Sequence, residues 1–182
     1  MSYIAVLLAE SVFFDEKVKV TDVSTVFLTT LYVILCFTAL LRLRYIENGA
    51  EYIYILVFVA AWITDTFAYF TGVFFGKHKL IPEVSPKKTV EGAVGGIVSS
   101  IIVTLIISLC FAKSLVIPMI LTIPFCVLGM LGDLFASAIK RSVGLKDYSN
   151  LIPGHGGILD RVDSIIMIAP FLYFAIYYLG VL

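Results

Sequence analysis

The chain has 182 residues, of which 60% are hydrophobic and only 14% charged, and its 13 basic and 13 acidic side chains leave no formal net charge. Its mean hydropathy of +1.04 excludes a soluble globular domain, and its neutrality gives no reason to expect a nucleic-acid partner. The composition indicates an integral membrane protein.

Continuous apolar runs predict the membrane spans, because about 20 helical residues cross the roughly 30 Å of hydrocarbon in a bilayer. The opening stretch, residues 2–14, is apolar but short, and we interpret it as the tail of a span or as a surface helix. Runs without alternation argue against strands, so the predicted fold class is all-α: one membrane-embedded helix bundle over residues 1–182. The five predicted spans are 24–41, 52–75, 92–112, 115–132 and 164–182.

The basic residues predict the orientation of the chain in the membrane. Alternating sides from span to span places ten lysines and arginines on one side and three, Arg42, Arg44 and Lys113, on the other. Cytoplasmic loops carry the excess of basic residues, so the ten are expected to face the cytoplasm. The two long polar segments, 76–91 and 133–163, then share that side. We therefore predict an inner-membrane protein whose active site faces the cytoplasm.

Asp65 lies fourteen residues into the second predicted span, roughly 21 Å along the helix. An unpaired acid at such a depth costs about 2.5 to 3.5 kcal/mol on insertion scales, which favours a buried polar site. Thr64, Thr66 and Tyr69 are its expected partners. The alternative is a hydrogen bond between helices that carries no chemistry.

The first polar segment, GKHKLIPEVSPKKTVEG, combines four lysines with two hydroxyl side chains just before the next span. Ammonium groups neutralise phosphate oxygens, hydroxyls add directed hydrogen bonds, and a helix N-terminus capped by Thr89 is itself favourable for anions. The alternative is that the lysines only fix orientation or contact anionic lipid. The segment offers Ser85, Lys87, Lys88 and Thr89 as candidate phosphate contacts.

Other positions within the spans predict packing. Gly92, Gly96 and Ser100 recur every four residues, which predicts a small-residue face for close helix contact and makes a homodimer one expected assembly. The three cysteines lie in apolar spans without the spacing of metal ligands, so they too are expected to pack.

The second polar segment begins with Asp133, which is predicted to end the fourth span. Apolar residues at helical spacing then predict an interfacial amphipathic helix that turns Lys140 and Arg141 towards the lipid headgroups.

The stretch LIPGHGGILDRVDS follows, and its glycines free the backbone to present N–H groups to an anion, with His155 and Arg161 as further donors. Asp160 and Asp163 are three residues apart and fall on one helix face. These acids either pair with the nearby basic residues or hold a divalent cation that bridges substrate phosphates.

These residues resemble the signature of a known family. The run SAIKR, followed after four residues by KD and then by PGHGGILDRVDS, resembles the signature of the phosphatidate cytidylyltransferases, also called CDP-diacylglycerol synthases. Residues 85–92 resemble the family's second polar motif, and Asp65 with its flanking aromatics resembles a third. The likeness extends from about Ser24 onward.

The resemblance implies the reaction of CTP with phosphatidic acid to give CDP-diacylglycerol and pyrophosphate at the membrane, with Mg²⁺ and a possible second cation as cofactors. It further implies additional N-terminal spans, so the chain is expected to be the C-terminal catalytic part, as a fragment or a short form. The expected catalytic residues are Asp65, Asp133, Lys140 and Asp160, and the expected metal ligands are Asp133, Asp160 and Asp163. The expected substrate contacts are Ser85, Lys87, Lys88, Thr89, Arg141, Lys146, His155, Gly156 and Arg161.

Three other functions compete with this interpretation. A CTP-dependent polyprenol or dolichol kinase also needs a basic, metal-binding cytoplasmic face, but it transfers the γ-phosphate. A transporter would explain Asp65 and the prolines Pro118 and Pro124, yet charged motifs on one face alone fit alternating access poorly. A purely structural subunit leaves the glycine and acid pattern unexplained.

Overall fold

The computed structural model of the chain describes residues 6, 9, 20–46, 53–111, 115–142, 144, 145, 147–149 and 157–179. Most of the predicted surface segment at residues 2–14 therefore lies outside the described residues. In chain order, the elements are α1 (Val20–Arg44), α2 (Ile53–Phe58), a π-helix (Val59–Ile63), α3 (Thr64–Phe75), β1 (Lys79–Ile81), β2 (Ser85–Thr89), α4 (Val90–Phe111), α5 (Val116–Ser142) and α6 (Leu159–Leu179).

The predicted polytopic helix bundle is confirmed. Within the described residues, four helical stretches are long and apolar enough to cross a membrane: Thr21–Arg44, Tyr54–Phe75, Val90–Phe111 and Val116–Ser142. The fifth predicted span corresponds to α6, whose 21 residues extend about 30 Å but begin with a charged turn. At its other end, Tyr173 accepts a hydrogen bond of 3.3 Å from Arg42 near the end of α1.

The hydrophobic core lies where the π-helix, α5 and α6 meet. Ala60, Phe125 and Cys126 pack there against Ile168 and Leu172 of α6, and all five are almost fully buried. Lipid tails are as apolar as these side chains, so close packing and interhelical hydrogen bonds, rather than exclusion from water, stabilise the contact. α6 is therefore the central helix of the bundle.

The small-residue face of α4 packs against α3, as predicted. A Cβ atom at Gly96 would lie 2.6 Å from the backbone oxygen of Thr64, and one at Gly92 would lie equally close, 2.6 Å, to that of Ala68. Only glycine allows the two helices to approach this closely. Because the face is buried within the chain, it is not available to a second copy, and the expected homodimer stays a prediction without this support.

Hydroxyl pairs join the helices inside the bundle. Thr64 and Ser100 share a hydrogen bond of 2.8 Å between α3 and α4, and Thr104 and Thr122 share one of 2.9 Å between α4 and α5. Thr64 also donates to the sulfur of Cys126 at 3.1 Å. These bonds satisfy polar groups that would be costly to leave unpaired in a membrane. Cys126 thus has the packing role expected for the cysteines.

Two local expectations were wrong. β1 and β2 form an antiparallel hairpin, in which Lys79 pairs with Thr89, inside a segment where no strand was predicted. α5 continues without a break to Ser142, so Asp133 lies within a long helix and does not end it. The helix can continue past this acid because its carboxylate faces a polar cavity lined by other elements.

Candidate functional site

The hairpin between α3 and α4 holds the first polar segment in place. Its turn begins at Ile81, which accepts a backbone hydrogen bond of 3.3 Å from Val84, and Pro82 occupies the second position, for which proline is suited. Glu91 in the first turn of α4 accepts hydrogen bonds from the backbone of Lys77 and from the backbone and ring of His78. The residues that lead into β1 are therefore fixed to the start of α4.

A polar cavity of about 310 Å³ lies at this end of the bundle, bounded by the hairpin and by α3, α4, α5 and α6. Its volume lies at the lower end of the range for small-molecule sites. It brings together the two polar segments and the intramembrane acid. The predicted site residues that line it are Asp65, Ser85, Lys87, Lys88, Thr89, Asp133, Asp160 and Asp163.

Lys88 and Asp133 connect the two polar segments directly. Their side chains form an ion pair and both are about three-quarters buried. The Lys88 nitrogen is itself buried against Asp133, and within the described residues it makes no hydrogen bond of good geometry. Thr89 beside it is buried and caps α4 by accepting a hydrogen bond of 3.1 Å from the backbone of Gly92.

Asp160 is the most fully satisfied acid of the site. One carboxylate oxygen accepts a hydrogen bond of 2.6 Å from Lys140, and the other accepts backbone hydrogen bonds of 3.0 Å from Tyr148 and 2.9 Å from Gly157. The side chains of Lys140 and Asp160 are only 8% and 6% exposed. Lys140 thus points into the protein, and the expectation that it turns towards the headgroups was wrong, because Asp160 offers a buried partner.

Tyr148 completes this arrangement, and the sequence interpretation did not include it. Its hydroxyl donates a hydrogen bond of 3.2 Å to Ala136, and its ring centroid lies 5.2 Å from the Lys140 ammonium. Burial raises the pKa of the Tyr148 hydroxyl, which keeps the group protonated as a donor. The only signal in the sequence that Tyr148 belongs to the site is its position, one residue beyond the Lys146-Asp147 pair.

Asp65 and Asp163 meet at Ser164. The Ser164 hydroxyl donates to Asp65 at 3.4 Å, and the Ser164 backbone donates to Asp163 at 2.8 Å. The partner of Asp65 is therefore in α6, not among its predicted neighbours in sequence. Thr64, one of those neighbours, instead faces Ser100 and Cys126.

The π-helix directly precedes two consecutive residues of α3 that face different surroundings. Residues 59–61 are buried in the core, and the wider π turn ends immediately before Thr64. Thr64 then lies between helices, whereas Asp65 lines the cavity. Single π turns within α-helices are frequent at functional sites.

The donor set suits a hard divalent cation, since it offers carboxylate and hydroxyl oxygens. Once Asp160 is paired with Lys140, three acids face Lys87 and Lys88, which leaves an excess of negative charge. In the part of the chain that the structure describes, no three His, Cys, Asp or Glu side chains form a ready-made ligand set. This arrangement matches Mg²⁺, which usually binds one or two carboxylates together with substrate phosphates.

The remaining predicted residues divide into two groups. Arg141 is exposed and donates to the backbone of Leu145 at 2.8 Å, and Arg161 is exposed on the first turn of α6, so neither lines the cavity. Lys146, His155 and Gly156 lie outside the described residues. Tyr69, expected only as a partner of Asp65, and Met130, which was not predicted, also line the cavity.

The fold and the site define a polytopic membrane protein whose lysines and acids share one cavity beside the bilayer. The model of the cytidylyltransferase family matches residues 1–179. The chain belongs to this family.

Curated relatives share the similarity over most of the chain. The phosphatidate cytidylyltransferase of Bacillus subtilis strain 168 is 40% identical over 176 residues, which cover 94% of this chain and 64% of the relative. Those of Staphylococcus saprophyticus and Staphylococcus aureus strain COL are 41% and 38% identical over 174 residues, covering 94% of this chain and 65% of each relative. The chain thus spans just under two thirds of the length of these relatives.

Proposed function

We propose that this chain transfers a cytidylyl group from CTP to phosphatidic acid, giving CDP-diacylglycerol and pyrophosphate. The observation that carries the proposal is the single cavity in which Lys87 and Lys88 face Asp65, Asp133 and Asp163. The relatives named phosphatidate cytidylyltransferase support the same reaction.

The lysines have an electrostatic role in this reaction. A phosphate oxygen of the lipid attacks the α-phosphorus of CTP, a new P–O bond forms, and the bond to the β-phosphate oxygen breaks to release pyrophosphate. Both substrates are anions, so the ammonium groups of Lys87 and Lys88 reduce their repulsion and stabilise the charge that builds up on pyrophosphate. The attacking phosphate is largely ionised near neutral pH, so no general base is required.

The acids divide into two roles. Asp133 and Asp163 would hold Mg²⁺, which polarises phosphoryl oxygens when bound. Asp160 keeps Lys140 and the backbone at Tyr148 and Gly157 in position through its three hydrogen bonds. Asp65 lies on the same cavity wall and, through Ser164, fixes the first turns of α6 relative to α3.

The proposed orientation places the cavity at the cytoplasmic surface of the inner membrane, where CTP is available. The excess of basic residues at this end of the bundle supports it. Cys110 is exposed, so it is first replaced by serine. Modification by a membrane-impermeant maleimide of a cysteine introduced at Lys79 in that background, in spheroplasts and in inverted vesicles, then tests the orientation. Labelling in inverted vesicles alone is expected, and labelling in intact spheroplasts would contradict it.

The decisive experiment uses the purified chain in lipid nanodiscs with phosphatidic acid, Mg²⁺ and CTP labelled at the α- or the γ-phosphate. The proposal expects label in the lipid from α-labelled CTP only. Label from γ-labelled CTP would instead identify a lipid kinase, and no lipid label from either would also overturn the proposal.

A further inference from the structure

A second cavity of about 250 Å³ lies on the opposite side of the α5–α6 contact from the polar cavity. Four residues of α5, Gly132, Phe135, Ala136 and Ile139, line it from one helix face, over about 10 Å of helix length. Except for Thr29, Tyr32, Tyr148 and Asp163, the residues that line it are apolar or glycine. Its shape and surface suit a hydrocarbon chain lying along the helix.

The two cavities share a thin wall. Leu159 and Gly132 face the apolar cavity, their immediate neighbours Asp160 and Asp133 face the polar one, and Asp163 lines both. The helices are in close contact at this point, because a Cβ atom at Gly132 would lie 2.9 Å from the backbone oxygen of Asp163. Asp163 is thus the point past which a single molecule with a phosphate at one end and a hydrocarbon at the other would extend from one cavity into the other.

The apolar cavity also reaches the outside of the described bundle. Leu28 of α1 is 61% exposed and Phe135 of α5 is 52% exposed, and both belong to its lining. Both helices are among those that are long and apolar enough to cross a membrane. Its volume accommodates a segment of one chain and not a whole diacyl lipid.

We propose that this cavity binds part of an acyl chain of the lipid substrate while its phosphate lies in the polar cavity. The proposal rests on the proposed function and extends it, since it assigns the selection of the lipid chain to α1 and α5. Leu28, Thr29 and Phe135 are then residues that determine chain preference.

Thr29→Phe tests the proposal because it fills the cavity from an exposed position. Among the described residues, the Thr29 hydroxyl bonds only to the backbone of Thr25 in its own helix, so the exchange disrupts no tertiary hydrogen bond within that part of the chain. Thr38→Phe is the matched control, since Thr38 is also exposed in α1 and makes the same bond to Ile34 but does not line the cavity.

The expected result is a rise of about tenfold in the KM for dioleoyl phosphatidic acid in Thr29→Phe, which corresponds to the loss of roughly two buried methylenes. The KM for CTP and the turnover of dihexanoyl phosphatidic acid should stay close to those of Thr38→Phe. Identical KM values for the long-chain lipid in the two variants would overturn the proposal. Cytidylyl transfer by the wild-type chain would still establish the reaction in that case.

A binding experiment without CTP separates this proposal from the reaction itself. Phosphatidic acid with a photoreactive diazirine in its acyl chain should crosslink to α1 or α5 in the wild-type chain and several-fold less in Thr29→Phe. Equal crosslinking of a matched phosphatidylcholine probe, unaffected by Thr29→Phe, would identify an ordinary annular lipid and refute the proposal. A wild-type chain with no cytidylyl transfer but with selective crosslinking would refute the reaction alone.

Discussion

Lys88 of the hairpin forms an ion pair with Asp133 of α5, and this contact unites two polar segments that are 45 residues apart in the chain. The cavity that holds this pair also contains a second lysine, Lys87, and two further acids, Asp65 and Asp163. Under the proposed function, such an arrangement would bind a ligand that is itself a complex of a polyphosphate and a metal ion.

Lys88→Gln should raise the KM for CTP by about tenfold or more, because a hydrogen bond to a charged group contributes about 1.5 to 3 kcal/mol. Lys79→Gln is the control, since Lys79 is exposed in the same hairpin and does not line the cavity. Steady-state kinetics with varied CTP measures the effect. An equal KM in the two variants would remove Lys88 from the phosphate site.

Asp160→Asn should destabilise the fold as well as reduce turnover, because it leaves the ammonium of Lys140 buried without its charged partner. Loss of one member of a buried pair costs about 3 to 5 kcal/mol. The double variant Asp160→Asn with Lys140→Met should recover much of this stability. Thermal unfolding in detergent measures it, and a double variant no more stable than the single one would contradict the assignment.

Asp133→Asn and Asp163→Asn should each raise the Mg²⁺ concentration needed for half-maximal turnover, by about tenfold or more, since carboxylates hold the hard cation. Glu83→Gln is the control, because Glu83 is exposed in the hairpin turn and outside the cavity. Mn²⁺ binding followed by electron paramagnetic resonance gives a measure independent of turnover. Unchanged Mn²⁺ affinity in both Asp variants would exclude them as ligands.

Gly96→Ala should destabilise the bundle by about 1 to 3 kcal/mol, because the new methyl group would meet the backbone oxygen of Thr64 and force α3 and α4 apart. Val98→Ala, on an exposed face of the same helix, should change stability much less. Unfolding titrations in mixed micelles compare the two. A Gly96→Ala chain as stable as Val98→Ala would show that the helices separate at little cost.

The sequence was sufficient to predict the helix bundle and the meeting of Lys87 and Lys88 with Asp160, because hydropathy defines the spans and their number determines which segments share a side. The sequence was not sufficient to predict the direction in which the Lys140 side chain points. A lysine near the end of an apolar helix ordinarily extends to the headgroups, and only the packing of α5 against α6 brings Asp160 within its reach.

The hairpin escaped prediction for a different reason. Its strands have three and five residues, and one of them contains Pro86, which is tolerated because both strands lie at the edge of a two-stranded sheet. No alternation of polar and apolar residues can develop over such a length. The prediction for Asp133 was wrong because a charged residue ordinarily marks the end of a span, whereas the Asp133 carboxylate faces the cavity within a continuous helix.

The π-helix at Val59–Ile63 takes up one residue more than a regular α-helix would hold over the same length. Because a π turn covers nearly the same rotation and rise as an α turn, the residues that follow it keep the direction that a regular helix would give them. Removing a single residue from this stretch should therefore restore a regular α-helix and leave Asp65 facing Ser164 and Thr64 facing Ser100. The apolar stretch can thus change its length by one residue without redirecting the acid that follows it.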